Sequence, residues 1–472
     1  MLFNSQLFLL AFLPFALLVH LFARPHRQAW IVCIIALSLA FYSYWDVRLL
    51  PVLLASILLN WFVAQRFQAS GKRAWLTLGI VANLLSLGVF KYTNFLLDNL
   101  AWLSGWSRTP LVLALPLGIS FFTFQQVAYL VDLRRGVAQP HGLARYALYV
   151  SFFPHLIAGP LLRHSEFFSS LDEPRDRTAE ARLFGMGLAL LAIGLVKKVM
   201  IADPIGFAVD QLFSAAATTP LGLQGGWLAG LGFSIQIYFD FSGYSDIAIG
   251  VGYLFGIVIP TNFDAPYRTT SISDFWRRWH MTLSRLLRDY VYKSFGGNRH
   301  GFSRQMASLL ATMLIGGLWH GAGWNFVIWG GLHGLALVVN HLWRRSGLPC
   351  PVLLGWAATF LFVVATFVVF RAADVRTALN IWSGMAGLNG WGGLPPLQEG
   401  GWRPPLFGSV AAETSLLVAL ATLAAIVGPT SQAMTQRMRP SLAAALLIGL
   451  ALLAATIAVG GGGGTEFVYF QF

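Results

Sequence analysis

Apolar runs long enough to cross a bilayer alternate with short polar links along this chain. A spanning helix needs about 17–25 apolar residues. Runs of that kind fall at 5–23, 30–46, 49–65, 74–91, 111–131, 183–202, 226–256, 324–343, 352–370, 413–429 and 441–459, with shorter apolar pieces at 146–160 and 306–320. The pattern predicts an all-α polytopic membrane protein of about 11–13 transmembrane or re-entrant helices. The 146–160 piece holds Pro154, His155, Gly159 and Pro160, which interrupt a helix. It is expected to be re-entrant or a broken half-helix buried in protein, because lipid cannot satisfy open backbone groups. The 306–320 piece is expected to enter and return, or to pair with 324–343 as a hairpin, with His320 near its far end. The first run has no basic region before it and no cleavage site of small residues, so it reads as a retained span.

Two stretches depart from the plain apolar pattern. Over 271–293, Phe275, Trp279, Leu283, Leu286/Leu287 and Tyr290 recur at helical spacing, and Ser271 stands three residues before Asp274 as a capping pair. One amphipathic helix is expected there, ended by Gly296–Gly297, with Arg277, His280, Ser284 and Arg288 on a neighbouring face. The run 226–256 carries Asp240, Tyr244 and Asp246 among apolar residues. Acids at membrane depth need partners, and an Arg or His from the following loop is the expected one. These acids either lock helices together or serve a site; no His or further acid recurs at metal-ligand spacing. The stretch 384–412 reads as an extracytoplasmic loop and Gly460–Gly464 as a flexible turn.

Composition sharpens this picture. The 472 residues are 56% hydrophobic and only 11% charged, against about 25% charged in a soluble domain. A water-soluble globule is excluded. The net charge of +13 comes from Lys and Arg scattered over short loops, as the positive-inside rule requires, rather than from a nucleic-acid groove. Basic loops after the first, third and fifth runs put the N-terminus outside. The loop 257–305, with eight Lys or Arg against three Asp, is then cytoplasmic. Cys33 and Cys350 have no CxxC or Cys/His spacing and imply neither a disulfide framework nor a zinc site.

The candidate chemistry follows from depth and charge. His320, in GGLWHGAGW, is an ionisable side chain in an apolar stretch with glycines around it, a functional-site signal by default. With His280 it can supply the base that acyl transfer to a hydroxyl needs; His333 and His341 are secondary candidates. No G-x-S-x-G elbow is present, which argues against a Ser-His-Asp hydrolase. The segment 271–293 reads both as an interfacial anchor, with Trp at headgroup depth and Arg snorkelling, and as an anion platform. Arg277, Arg278 and Arg285 beside Trp276 and Trp279 are the expected donor-binding face, since guanidinium forks suit phosphates.

At these residues the sequence resembles the membrane-bound O-acyltransferase family, in its bacterial alginate O-acetyltransferase-like branch. The resemblance spans essentially the whole chain. It rests on KYTNF (91–95), LPLGISFFTFQ (115–125), SFFPHLIAGPLLRH (151–164), IQIYFDFSGYSDIAIG (235–250), NFDAPYRTTSISDFWRRWHMTLS (262–284), GGNR (296–299) and GLWHGAGWNFVIWGGLHG (317–334). It implies helices around a central tunnel in one integral-membrane domain over 1–472. Residues 1–145 would be N-terminal helices, 146–345 a core with re-entrant segments and the catalytic site, and 346–472 closing helices. It places the family's catalytic histidine on His320 and its second motif residue on His280, with Asp240, Asp246, Tyr244 and His155 as supporting buried polar groups.

The implied activity is O-acetyl transfer from a cytoplasmic donor, acetyl-CoA, across a bacterial inner membrane to a secreted exopolysaccharide, alginate first. No bound cofactor or metal is implied. The implied partners are periplasmic SGNH-type acetyltransferases and a polysaccharide synthase or export complex. Acetylation of cellulose or peptidoglycan, acylation of a lipid or protein, a non-catalytic export subunit and a transporter are the rival readings. The transporter predicts internal repeats, and none is evident.

Overall fold

The structure, a computed structural model, describes residues 1–398, 409–463 and 467–468. Every regular element among them is helical. In chain order these are α1 (Phe8–Ala23), α2 (Arg27–Ser43), α3 (Leu50–Ser70), α4 (Ala74–Ser104), α5 (Ile119–Arg135), α6 (Leu143–Ser151), α7 (Phe153–Leu156), α8 (His164–Asp172), α9 (Arg177–Ala216) and α10 (Leu223–Leu254). There follow α11 (Ile272–Arg278), α12 (Met281–Leu286), α13 (Phe302–His320), α14 (Trp324–Ser346), α15 (Val352–Arg371), α16 (Val375–Met385), α17 (Val410–Val427), α18 (Ser431–Arg437) and α19 (Leu442–Ala458).

Among the described residues seven helices are long and apolar enough to cross a membrane: α4, α9, α14, α15, α17, the stretch Val47–Ser70 that includes α3, and Leu442–Gly461 that includes α19. The helices α1 and α2 are shorter apolar helices. This is a multi-pass membrane protein. The expected run 111–131 becomes helical only at Ile119, because Pro110 and Pro116 keep the preceding chain irregular. The expected span 226–256 is α10, buried at every residue from 232 to 252, so its acids face protein rather than lipid. Of the expected loop 384–412, the first two residues end α16, and 399–408 lie outside the described residues. The glycine run after α19 continues as a π-helical turn, Val459–Gly463, rather than a free link; Gly464 lies outside the described residues.

Contacts divide the chain into two compact units. The first is Met1–Phe3, Leu7–Leu188 and Ala248–Pro260; the second is Asn4–Gln6, Ala189–Ile247 and Thr261–Phe472. In the first unit, Asn60 and Asn83 hydrogen-bond each other between α3 and α4 at 2.7 and 3.2 Å. The Pro154 segment is broken, with α6 ending at Ser151 and one turn, α7, following. Its open backbone groups are met by protein: Ser38 Oγ accepts from Phe153 N at 3.2 Å, and Gln125 Nε2 donates to Tyr149 O at 3.1 Å. That is how non-helical backbone survives at membrane depth.

In the second unit α13 and α14 form a tight antiparallel hairpin turned at Gly321–Gly323. Its closeness depends on two glycines: a Cβ on Gly317 would lie 2.2 Å from Phe326 O, and one on Gly330 would lie 2.3 Å from Met313 O. His320 is the last residue of α13, at the turn of this hairpin.

Candidate active site

Ser271 caps α11 as expected, its hydroxyl accepting from Asp274 N at 3.3 Å. The single helix expected over 271–293 is instead broken at Trp279–His280. His280 takes a left-handed backbone conformation, φ 43° and ψ 52°, which costs a non-glycine residue about 1–2 kcal/mol. Asn262 and its neighbours hold the break open. Met281 N donates to Asn262 O at 2.9 Å, and Asp264 N donates to Arg278 O at 3.0 Å.

The break turns the aromatic residues inward. Trp276 and Trp279 are buried in protein, unlike the exposed rings of an interfacial anchor. Trp279 packs against Phe263, Phe275 and Phe367, with centroids 5.1–5.5 Å away. It does not line the neighbouring cavity.

His280 is fully buried beside His320, with ring centroids 6.5 Å apart. Its Nδ1 lies 3.1 Å from Asn262 Oδ1. That oxygen also accepts from Thr282 N at 3.2 Å and Thr282 Oγ1 at 2.9 Å. A backbone N–H only donates, so the Asn262 atom is fixed as the oxygen and His280 Nδ1 must carry the proton. Its Nε2, with no hydrogen-bond partner among the described residues, then holds a lone pair. Burial pulls the ring's pKa down to about 3, so it is neutral at physiological pH. A ring ordinarily near 6.5 when unfolded resists protonation here, so stability falls as pH drops from about 6.5 toward 3.

We expect Asn262→Asp to favour the imidazolium and raise that pKa. Turnover relative to wild type would fall at pH 6 and recover at pH 8; a pH–rate profile identical to wild type would leave Asn262 a purely structural role.

His320 sits in an aromatic box. Its ring lies 4.9 Å from Trp319, 5.1 Å from Trp329 and 5.3 Å from Phe370, each near edge-on. His333 is spoken for: its Nδ1 accepts from Trp276 Nε1 at 3.3 Å and its Nε2 meets Thr366 Oγ1 at 3.0 Å. The Thr366 proton goes to backbone carbonyls of its own helix, so His333 Nε2 donates and neither ring nitrogen is left for chemistry.

A cavity of about 570 Å³ lies between the α11–α12 segment and the α13–α14 hairpin. Arg277, Arg285, Arg288, His341, Tyr292 and Gln305 give it polar walls, while Leu309, Met313 and Leu337 give it apolar ones; none of its lining residues is acidic. Trp276 lines it too and packs on Trp329 at 5.7 Å, which in turn packs on His320 at 5.1 Å; His320 and Trp329 stand behind the cavity wall. Two of the three expected arginines are here. Arg278 is not: it pairs with Asp274 at 3.2 Å and Asp264 at 3.6 Å. Arg288 takes its place, and could have been found from its position three residues beyond Arg285.

The buried acids find partners that the sequence reading missed. Lys198 lies 2.6 Å from both Asp203 and Asp240, and Lys197 lies 2.7 Å from Asp246. Among the described residues these partners stand in place of the expected Arg or His from the 257–305 loop. Both lysines fall in a π-helical stretch of α9, Val196–Ala202. There α9 approaches α10 so closely that a Cβ on Gly194 would lie 2.6 Å from Gly243 O. Asp246 also accepts from Ser431 Oγ at 2.6 Å, and Asp240 from Val468 N at 2.9 Å. Tyr244 stacks on Phe467 at 4.4 Å. These groups tie helices together. His155 belongs to the first unit, within a cluster of Tyr149, Phe152 and Phe167.

The family model described as MBOAT, membrane-bound O-acyltransferase family, matches residues 41–370, a range that holds both His280 and His320. The chain is 42% identical over 429 residues to the peptidoglycan O-acetyltransferase of Helicobacter pylori, covering 82% of this chain and 80% of that protein. It is 39% identical over 397 residues to the probable alginate O-acetylase AlgI of Pseudomonas aeruginosa, covering 82% and 75%. It is 31% identical over 274 residues to the teichoic acid D-alanyltransferase of Bacillus subtilis, covering 54% and 68%.

Proposed function

We propose a function from one premise: this chain belongs to the membrane-bound O-acyltransferase family, and it is an O-acyltransferase carried on a multi-pass membrane protein. It takes an acetyl group from acetyl-CoA at the cytoplasmic face and passes it to a hydroxyl of, or bound for, a polysaccharide of the cell envelope. The observation that carries this reading is the pairing of two buried histidines with an adjoining basic cavity free of acidic walls. The membrane is the bacterial inner membrane, with the N-terminus periplasmic and the loop 257–305 cytoplasmic, consistent with its charge.

The phosphates of the donor meet Arg277, Arg285 and Arg288, whose planar forks suit them. The thioester passes Trp276 and Trp329 to His320. His320 removes the acceptor proton, and His280, with a lone pair at Nε2, assists at the same centre. The acceptor is the sugar itself or a serine on a periplasmic SGNH-type partner that completes transfer beside the synthase or export complex.

Relatives named for peptidoglycan and for alginate support a carbohydrate acceptor and set two arms of one experiment. A deletion strain is expected to lose ester-linked acetate from its secreted polysaccharide or from its peptidoglycan. Unchanged acetate in both, with altered lipid acylation, would overturn the reading. For the donor, Arg277→Gln or Arg285→Gln, each taken singly, is expected to raise the KM for acetyl-CoA about 10–100-fold, one lost charge-assisted bond being worth roughly 1.5–3 kcal/mol, with kcat little changed. An unaltered KM would remove the cavity from the donor path.

A further inference from the structure

Beside His320 stands a polar group that the mechanism above leaves unused. Trp329 is 1% exposed, and its indole N–H has no hydrogen-bond partner among the described residues. Leaving a buried donor unmet costs about 1–3 kcal/mol, and such groups are rare enough in folded proteins to need an explanation. Its neighbours do not offer one. His333, 4.7 Å away, has both nitrogens engaged, and Trp276, 5.7 Å away, gives its own N–H to His333. Phe370, at 5.1 Å, turns only a ring toward it. The Trp329 ring stands perpendicular to that of His320, 5.1 Å from it. It also contacts Trp276 in the wall of the basic cavity, so it lies on the line from that cavity to His320.

We infer that the Trp329 indole N–H is the hydrogen-bond donor to the acyl carbonyl oxygen, making Trp329 a catalytic residue of the acyl transfer. The inference rests on the functional reading given above. As the acceptor oxygen bonds the thioester carbonyl carbon, its proton passes to His320. The carbonyl π pair moves onto oxygen, and the developing oxyanion accepts the Trp329 N–H. The pair then returns to re-form C=O as the C–S bond breaks. The thiolate leaves with that bond's electrons and takes the proton from the imidazolium. A donor fixed in a dry aromatic box needs no reorganisation as the charge develops, which is where such groups contribute most.

Trp329→Phe removes the N–H and keeps a ring in place. Turnover is expected to fall about 100-fold, the loss typical of one oxyanion donor. Binding is read in parallel with two inert donors: acetyl-carba-CoA, a ketone with CH2 in place of sulfur, and S-ethyl-CoA, which has no carbonyl. Wild type should prefer the ketone; the variant should lose that preference and bind S-ethyl-CoA as before. Wild-type turnover, an intact ketone preference, or equal weakening of both analogues would each overturn the inference, the last reducing Trp329 to packing. His320→Ala is assayed alongside. If it still transfers acetyl groups, the functional reading fails; if it is inactive while Trp329→Phe is normal, only the carbonyl-donor inference fails.

Discussion

His320→Ala is expected to leave a folded membrane protein that no longer acetylates its acceptor. A positioned general base contributes about 10²–10⁴ in rate, and the nearby rings do not occupy its place. His333 has its nitrogens committed, and His280, anchored through Nδ1 to Asn262, keeps its Nε2 lone pair 6.5 Å, centroid to centroid, from the missing ring, so any residual turnover in this variant is its own. The imidazole's removal leaves space among Trp319, Trp329 and Phe370, so His320→Gln, closer in volume, is the companion variant; it fills the box and supplies no base. Ester-linked acetate on the acceptor polymer, measured at matched membrane abundance, reads the effect. Normal acetylation in either variant would remove the enzymatic role assigned to this ring.

The second large effect is on stability. Lys198 is shared between Asp203 and Asp240 with none of the three more than 2% exposed. Lys198→Met leaves two carboxylates buried without a cation, and removing one partner of a buried pair costs about 3–5 kcal/mol. The thermal-denaturation midpoint in detergent should fall sharply. Adding Asp203→Asn and Asp240→Asn should recover part of the loss, because amides can be buried at lower cost than charges. A midpoint unmoved by Lys198→Met would mean the triad contributes nothing net.

These contrasts show what a linear sequence carries. Seven of the spans are legible because each is a long apolar run, and the α13–α14 hairpin because the basic links before and after it require the chain to enter and return. The cap at Ser271 is legible because its signal lies within three residues. The break at His280 is hidden, since Phe275 and Trp279 before it and Leu283 and Leu286 after it keep one helical rhythm. Its cause is Asn262, eighteen residues away, with no local sign of its own. Lys197 and Lys198 did carry a signal: two ammonium groups inside an apolar run demand acids as surely as Asp240 and Asp246 demand cations. Looking for partners only in the basic loop passed over them. The inward turn of Trp276 and Trp279, and with it the exchange of Arg278 for Arg288 at the cavity, follows from the same hidden break.

The left-handed backbone at position 280 also constrains substitution in a way that position 320 does not. Glycine and asparagine are the replacements that best tolerate that geometry, yet neither brings an imidazole; a bulkier side chain would strain the peptide chain as well as alter proton transfer. Scanning residue 280 will therefore mix shape with chemistry in every variant, while residue 320, set in ordinary helical backbone, lets the two be told apart.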